Sequence, residues 1–197
     1  MHEQNRLIIF VKNPQLGKVK TRLAQTIGNQ QALEIYLRLL DHTKDISSQV
    51  AANRAVYYTD FIDSNDIWPE DQFQKYLQTG DDLGERMKNA FAAAFAEGFE
   101  KVVIIGSDCP QLTSAHIEEA FDLLNAFGAV IGPAVDGGYY LLGMSEFIPE
   151  LFINKAWSSD QVLRQTLADL NRLEYSFYLL DELRDIDTEE DLKIVNI

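Results

Sequence analysis

Residues 6–23, RLIIFVKNPQLGKVKTRL, decide the fold of this chain. After the first arginine come five consecutive apolar residues (LIIFV), which predict a short strand buried in a parallel sheet. The Asn13-Pro14 pair and Gly17 then predict a loop, and a helix is expected to begin near Thr21. A strand, a loop and a helix in this order are typical of the βαβ unit, so the segment predicts an α/β fold.

The same segment is the most basic part of an acidic protein. The chain has 197 residues, with 17 Lys and Arg against 31 Asp and Glu and a net charge of −14. Nevertheless, the loop carries Lys12, Lys18, Lys20 and Arg22 and no acidic residue. Backbone N–H groups of a glycine loop and the positive end of a following helix favour an anion. The segment therefore predicts a phosphate site, with solvated surface lysines as the alternative.

Composition excludes several classes of function and favours a cytoplasmic location. The negative charge argues against nucleic acid and anionic membranes as partners. No apolar run approaches the roughly 20 residues of a membrane span, and the polar start MHEQNR is unlike a signal peptide. The lone Cys109 cannot form an internal disulfide, which fits a reducing compartment. We expect one domain over residues 1–197; the sequence leaves the oligomeric state open.

Further strands and helices alternate along the chain. Strands are predicted at residues 54–59, 73–77, 101–106, 129–131, 139–143 and 175–180, and helices near residues 30–50, 84–98, 113–127, 158–173 and after 188. Ser158–Gln161 has the spacing of a capping box for one of these helices. The alternation predicts a three-layer sandwich with a mainly parallel sheet covered on both faces. Ligands of such sheets bind beyond the carboxyl ends of the strands, where the polar clusters converge.

Two carboxylates are candidate ligands of a divalent cation. Asp108 directly follows the predicted strand at 101–106 and is held by Pro110. Mg²⁺ and Mn²⁺ prefer carboxylate and phosphate oxygens, so Asp108 suits either ion, with a turn-capping role as the alternative. Asp187 directly precedes Thr188, the expected cap of the last helix. It reaches the same ion if the last strand lies beside the site.

Two further residues are candidates for contacts with substrate. Asp136 stands in GPAVDGGYYLLG, where the glycines allow either a close approach to a ligand or a tight hairpin. It is a possible second metal ligand or the base for an acceptor hydroxyl. Arg86 lies in the first turn of a predicted helix, where its charge opposes the helix dipole, so a contact with phosphate or a nucleotide base is expected. Cys109 has no histidine nearby and is interpreted as a small buried residue, not a nucleophile.

Taken together, the motifs resemble a known family. FVKNPQLGKVKTRLA, GDDLGERM, IGSDCPQL, GPAVDGGYYLLG and DIDTEEDL are similar to motifs of small bacterial glycosyltransferase-like proteins, the radical-SAM/selenodomain-associated transferase 1 family. That family is similar in fold to GT-A nucleotide-diphospho-sugar transferases and related to nucleotidylyltransferases such as 2-phospho-L-lactate guanylyltransferase. The resemblance implies a GT-A fold with a mainly parallel mixed sheet. It also implies that Lys12, Gly17, Lys20 and Arg22 cradle nucleotide phosphates and that Asp108 is a metal-binding acid.

Two departures from the related families bear on the reaction. GT-A glycosyltransferases usually carry Asp-x-Asp at this strand end, but Pro110 fills the second position here, so Asp136 or Asp187 must assist Asp108. Sugar nucleotidylyltransferases usually show a Pro-Lys pair after the glycine-rich loop, and residues 23–28 (LAQTIG) have none. We expect a transferase that depends on Mg²⁺ or Mn²⁺ and moves a sugar from a nucleotide sugar to a small-molecule acceptor. The alternatives are nucleotidylyl transfer from a nucleoside triphosphate and nucleotide binding without catalysis.

Overall fold

The computed structural model describes residues 4–195, and its centre is a seven-stranded sheet. The strands, in chain order, are β1 (Asn5–Val11), β2 (Asn53–Tyr58), β3 (Phe73–Leu77), β4 (Lys101–Ile105), β5 (Ala129–Pro133), β6 (Tyr139–Met144) and β7 (Phe177–Leu179). Their spatial order is β3-β2-β1-β4-β6-β5-β7. Among the described strands, β6 alone runs antiparallel to its neighbours, β4 and β5. The prediction of a mainly parallel mixed sheet is confirmed.

Helices cover both faces of the sheet. They are α1 (Thr21–Ile27), α2 (Asn29–Gln49), α3 (Leu83–Ala96), α4 (Ser114–Leu123), α5 (Val162–Arg172) and α6 (Glu189–Val195). Buried residues of α2 and α4, such as Tyr36 and Ile117, pack in one core cluster. Buried residues of α3 and α5, such as Phe91 and Leu170, pack in another. The chain therefore forms the predicted three-layer α/β sandwich.

Strand β1 shows why the apolar run at the amino end decides this architecture. Alternate residues of a strand point to opposite faces, so an unbroken apolar run is stable only between two apolar layers. Leu7 and Ile9 lie in the cluster with α2 and α4, whereas Ile8 lies in the cluster with α3. All three side chains are fully buried. Strand β1 is thus central, with β2 and β4 as its neighbours.

One predicted helix start is wrong. Helix α5 begins at Val162, and its preceding residue, Gln161, forms no side-chain cap. The backbone of Ser158 is left-handed, with φ of 62°. The Ser159 hydroxyl donates to the Ala156 carbonyl at 2.6 Å. The serines therefore close a turn instead of capping the helix.

The described residues also test the expectation about membranes. Within residues 4–195, no helix combines the length and the apolar character that a membrane crossing requires.

Candidate functional site

A cavity of about 740 Å³ opens where four parallel strands end. Its wall includes Lys12 after β1, Thr59 after β2, Gln78 after β3 and Asp108 after β4. The volume lies in the range of ligand pockets, about 300–1,000 Å³. The cavity is therefore the place where the topology of an open α/β sheet puts a ligand.

Inside this cavity, the ammonium group of Lys20 contacts carboxylates from two distant parts of the chain. Lys20 Nζ lies 2.8 Å from Asp108 Oδ2 and 3.4 Å from Asp187 Oδ1. The Lys20 side chain is only 6% exposed, whereas each carboxylate is about 40% exposed. Burial by itself would lower the pKa of Lys20, because it disfavours the charged ammonium. The carboxylates of Asp108 and Asp187 have the larger combined effect, so the pKa is raised. Lys20 is therefore a buried cation that these carboxylates hold.

The backbone of Lys20 directs its side chain into the cavity. Lys20 precedes α1 in the left-handed conformation, with φ of 46° and ψ of 45°. This conformation is unfavourable for residues with a side chain and is often found at functional sites. Helix α1 has only seven residues and no side-chain cap. The positive charge on this side of the cavity therefore comes mainly from the lysine ammonium and less from the helix terminus.

The segment before α6, residues 183–187, is held on two sides. On one side, the Leu183 N–H donates to the Pro133 carbonyl and the Val135 N–H donates to the Leu183 carbonyl, both at 3.0 Å. On the other side, the Ile186 N–H donates to the Asp108 carbonyl, also at 3.0 Å. These bonds fix the backbone of residues 183–187, the acidic segment, beside the loop that carries Asp108.

Asp185 of the acidic segment carries an unusual carboxylate. It lines the cavity, and its Oδ1 atom is buried without an N–H or O–H partner among residues 4–195, while the Cys109 thiol donates a weak hydrogen bond to the carboxyl group. Burial, followed by the negative charge of Asp108, raises the pKa of Asp185 well above its usual range. The charge of Lys20 and the hydrogen bond with the Cys109 thiol oppose this rise in pKa. Asp185 is therefore an acid whose ionised form the protein stabilises poorly.

Tyr36 of α2 connects the loops after β1 and β4. Its hydroxyl accepts from the Lys12 N–H at 2.9 Å and donates to the Lys12 carbonyl at 3.0 Å. The Ser107 hydroxyl lies 3.3 Å away. Burial raises the pKa of Tyr36 to about 12, so the hydroxyl keeps its proton near neutral pH. The basic loop and the Asp108 loop therefore share a buried anchor.

The structure brings together all but one of the predicted site residues. The residues that line the cavity are Lys12, Lys20, Arg22, Arg86, Asp108, Asp136 and Asp187. Gly17 is absent from the described wall of the cavity. With φ of 75°, it occupies a turn that faces the side chain of Asn29. Its contact with phosphate stays a prediction.

Three of the lining residues have partners that define their positions. Arg22 lies at the rim, with its side chain 71% exposed, and pairs with Asp187 at 3.3 Å. Arg86 Nε donates to the Gly80 carbonyl at 3.0 Å, which anchors it at the start of α3. Asp136 is exposed, and its Oδ1 accepts from the Gly138 N–H at 2.9 Å. The close turn expected from the glycines is present.

The oxygen donors of the site are of the chemical kind that a hard divalent cation takes, but their arrangement does not form a ready metal site. Mg²⁺ and Mn²⁺ take carboxylate oxygens and usually share them with substrate phosphates. Asp108 and Asp187 offer such oxygens, and Oδ1 of Asp185 is a third. However, no group of three acidic, histidine or cysteine side chains in residues 4–195 stands in the arrangement that would hold a metal ion. Lys20 Nζ lies between Asp108 and Asp187 instead.

Sequence reasoning missed Asp185 and Tyr36. A signal for Asp185 was present, because Ile186 is fully buried and alternate residues of an extended chain face the same side. Asp185 and Asp187 therefore both face the cavity. For Tyr36 there was no signal, since one aromatic residue of a long amphipathic helix resembles any other core residue.

The fold is of the nucleotide-diphospho-sugar transferase type. The structure resembles the crystal structure of a protein from Desulfovibrio desulfuricans G20 that is provisionally described as a nucleotide-diphospho-sugar transferase. The TM-score is 0.91 with 32% identity, over 98% of this chain and 86% of that one. Residues 42–159, more than half of the chain, match the family DUF2064, described as uncharacterized proteins conserved in bacteria. The chain belongs to this family.

Curated relatives are transferases of nucleotides. The chain is 26% identical to the 2-phospho-L-lactate guanylyltransferase of Methanocaldococcus vulcanius over 94% of this chain and 82% of the relative. It is 30% identical to the enzyme of the same name from Methanocaldococcus infernus, but this match spans only 58% of the chain and 53% of the relative. These relatives confirm the prediction of a transferase. A manganese complex of Rv0371C from Mycobacterium tuberculosis shares the fold, with a TM-score of 0.55 at 12% identity.

Proposed function

We propose that this protein is a nucleotidylyltransferase, which joins a nucleoside monophosphate from a nucleoside triphosphate to a small phosphorylated acid or alcohol. The observation that carries the proposal is the meeting of a basic loop with three carboxylates in one cavity, around Lys20. The guanylyltransferase relatives favour this reaction over sugar transfer, which was the first expectation from sequence.

The cations of the cavity suit a triphosphate. Lys12, Lys20 and Arg86 come from the loop after β1 and from the first turn of α3, and all three line the cavity. In the proposed reaction an acceptor oxygen attacks the α-phosphorus, and the bond from that phosphorus to the bridging oxygen breaks. Pyrophosphate leaves with the electron pair. Fixed positive groups that face this growing charge stabilise the transition state.

The acceptor side is expected near Asp136. This carboxylate is exposed in the cavity and held by the Gly138 N–H, so it can orient an acceptor or take the proton of an attacking hydroxyl. Asp108 and Asp187 would hold a divalent cation, with Asp185 beside them. A bound Mg²⁺ or Mn²⁺ would neutralise charge on the transferred phosphates and act as a Lewis acid.

The test begins with binding. Thermal shifts are measured for the whole chain with nucleoside triphosphates, nucleoside diphosphates and nucleotide sugars, each with and without Mn²⁺. A ligand at one hundred times its Kd stabilises the native state by about 2.7 kcal/mol, so the donor should stand out. We expect a triphosphate to give the largest shift and Lys20→Ala to abolish it. Lys18→Ala is the matched control, because Lys18 is an exposed residue of the same loop outside the described cavity wall.

The reaction is then followed through its leaving group. With the preferred triphosphate and 2-phospho-L-lactate or another small phosphorylated acid or alcohol, we expect release of pyrophosphate that Asp108→Asn abolishes. Release of a nucleoside diphosphate from a nucleotide sugar would instead establish sugar transfer. Nucleotide binding that no acceptor converts into product would support the non-catalytic alternative.

A further inference from the structure

The charges of the cavity wall are unevenly distributed. Among the described residues, the lysines and arginines of the wall come from the loop after β1, from α1 and from α3, and they are Lys12, Lys20, Arg22 and Arg86. The acceptor side of the cavity, formed by residues 136–140 and 157–162, contributes no lysine or arginine to this described wall. It contributes the carboxylates of Asp136 and Asp160 instead. The two ends of an acceptor therefore meet walls of different charge.

The two parts of the acceptor side form one surface. A Cβ atom on Gly137 would lie 2.4 Å from the carbonyl oxygen of Asp160, so the two backbones are in direct contact. The Leu163 N–H also donates to the Gly137 carbonyl at 3.0 Å. These contacts hold Asp160 beside the turn that carries Asp136, and both residues are exposed. Because exposed carboxylates are ionised near neutral pH, a ligand bound here meets two negative charges.

Trp157 gives the acceptor side an apolar wall. Its indole packs against the backbone of α3, where a Cβ atom on Gly84 would lie 2.0 Å from the ring. The indole also stacks with Phe152, with 6.2 Å between the ring centroids and 15° between the planes. These contacts fix the indole, which lines the cavity. An aromatic ring beside a few polar groups is typical of pockets for small organic molecules.

The basic residues that flank residues 157–162 in sequence do not compensate these carboxylates. The Lys155 side chain is only 1% exposed, and its Nζ atom lies 2.5 Å from Asp169 Oδ2. Arg164 is exposed on α5 and lies outside the described wall of the cavity. An acceptor carboxylate would therefore face two like charges without a cation from the acceptor side. Like charges repel, so such a compound is disfavoured.

We propose that the acceptor is a small phosphorylated alcohol, whose phosphate lies toward Lys20 and whose other end lies between Trp157 and Asp136. That end carries a hydroxyl or an ammonium group, not a carboxylate. Asp136 Oδ1 accepts from the Gly138 N–H, and the second oxygen can accept from the alcohol. An oxygen of the acceptor phosphate attacks the α-phosphorus, and pyrophosphate leaves with the electron pair. The inference rests on the proposed function and narrows its acceptors from acids and alcohols to alcohols.

The test compares two compounds that differ in one group. Glycerol 3-phosphate carries a hydroxymethyl group where 3-phosphoglycerate carries a carboxylate. Isothermal titration calorimetry measures the binding of each compound to the full chain in the absence of nucleotide. We expect glycerol 3-phosphate to bind more tightly by roughly tenfold or more, because its uncharged end is not repelled. The proposal is overturned if 3-phosphoglycerate binds as tightly, or if neither compound binds.

A charge reversal tests the acceptor side itself. Asp160→Lys should reduce the preference for glycerol 3-phosphate by roughly tenfold or more, because the carboxylate of 3-phosphoglycerate then meets a cation. Asp160→Asn should shift the preference in the same direction and guards against a folding defect in the first variant. Asp122→Lys is the matched control, because Asp122 is an exposed acid of α4 outside the described cavity wall. The role of Asp160 is overturned if Asp160→Lys changes the preference no more than this control does.

Failure of this inference and failure of the proposed function give different results. Release of pyrophosphate with 3-phosphoglycerate as fast as with glycerol 3-phosphate would overturn the acceptor class and leave nucleotidylyl transfer intact. Preferred binding of glycerol 3-phosphate, without release of pyrophosphate from any nucleoside triphosphate, would support the acceptor class and overturn the transfer.

Discussion

Replacement of Asp185 by Asn should stabilise the protein near neutral pH in the absence of metal ions. Burial and the charge of Asp108 oppose ionisation of the carboxyl group, and the Oδ1 atom has no N–H or O–H partner among the described residues; only the weakly donating Cys109 thiol is hydrogen-bonded to the carboxyl. An unsatisfied buried polar group costs about 1–3 kcal/mol. Asparagine has a similar shape but no charge, so it removes both the repulsion from Asp108 and the cost of burying a charged carboxylate. We expect a gain of about 1–2 kcal/mol, which is a rise in Tm of about 2–8 °C for a chain of this length.

The sign of the pH dependence follows from the raised pKa of Asp185. A carboxyl with a higher pKa in the folded state holds its proton more tightly there than in the unfolded chain. Its contribution favours folding below the ordinary pKa of Asp and is lost as the pH rises through the raised folded pKa. The advantage of Asp185→Asn should therefore be largest above that pKa and should shrink as the pH falls through it.

Scanning calorimetry in EDTA, from pH 5 to pH 8, measures this difference. Asp160→Asn is the control, because Asp160 lies in the same cavity but is exposed and accepts from the Gln161 side chain at 3.0 Å. Surface changes of this kind stay within about 0.5 kcal/mol. The reasoning is refuted if Asp185→Asn lowers the Tm, or raises it no more than the control does at every pH.

Three further predictions concern residues in the wall of the cavity or close to it. Tyr36→Phe should lower the free energy of unfolding in urea by about 1–3 kcal/mol, because the Lys12 backbone loses its buried hydrogen-bond partner. An unchanged unfolding midpoint would contradict the role of Tyr36 as an anchor. Gly84→Ala should lower the free energy of unfolding by about 1–3 kcal/mol and alter tryptophan fluorescence, because a Cβ atom there would lie 2.0 Å from the ring of Trp157. An unshifted emission spectrum would argue against this packing. Cys109 of the folded protein should resist a thiol reagent up to pH 9, because the thiol is buried and burial raises its pKa. The thiol should react quickly once urea unfolds the chain. Rapid labelling of the folded protein would show that the thiol is accessible.

The sequence predicted the layers of the fold because they depend on local patterns. Five apolar residues in β1 and the amphipathic pattern of α3 define buried faces without knowledge of the rest of the chain. The start of α5 was mispredicted because a serine followed three residues later by glutamine also fits a turn. Local chemistry alone cannot distinguish the two.

The cavity could be predicted only in part. That Lys20 and Asp108 meet follows from the rule that ligands bind at the carboxyl ends of parallel strands. That Lys20 and Arg22 pair with the carboxylates of the site depends on side-chain geometry, which spacing does not encode. Pro110 interrupts the Asp-x-Asp pattern that GT-A glycosyltransferases usually carry after this strand. An Asp-Ile-Asp sequence stands at residues 185–187, and hydrogen bonds across the fold bring it beside Asp108.

The reversed direction of β6 has a consequence for how such a site can evolve. In a wholly parallel sheet, a residue that precedes a strand lies at the far edge from the ligand. Because β6 runs against β4 and β5, its amino end lies at the ligand edge, and the short turn at residues 134–138 presents Asp136 there. A tight hairpin tolerates little change in length, whereas the loops after β1 and β3 can vary without disturbing the sheet. Among relatives, this turn should therefore keep its length, while those loops vary in length.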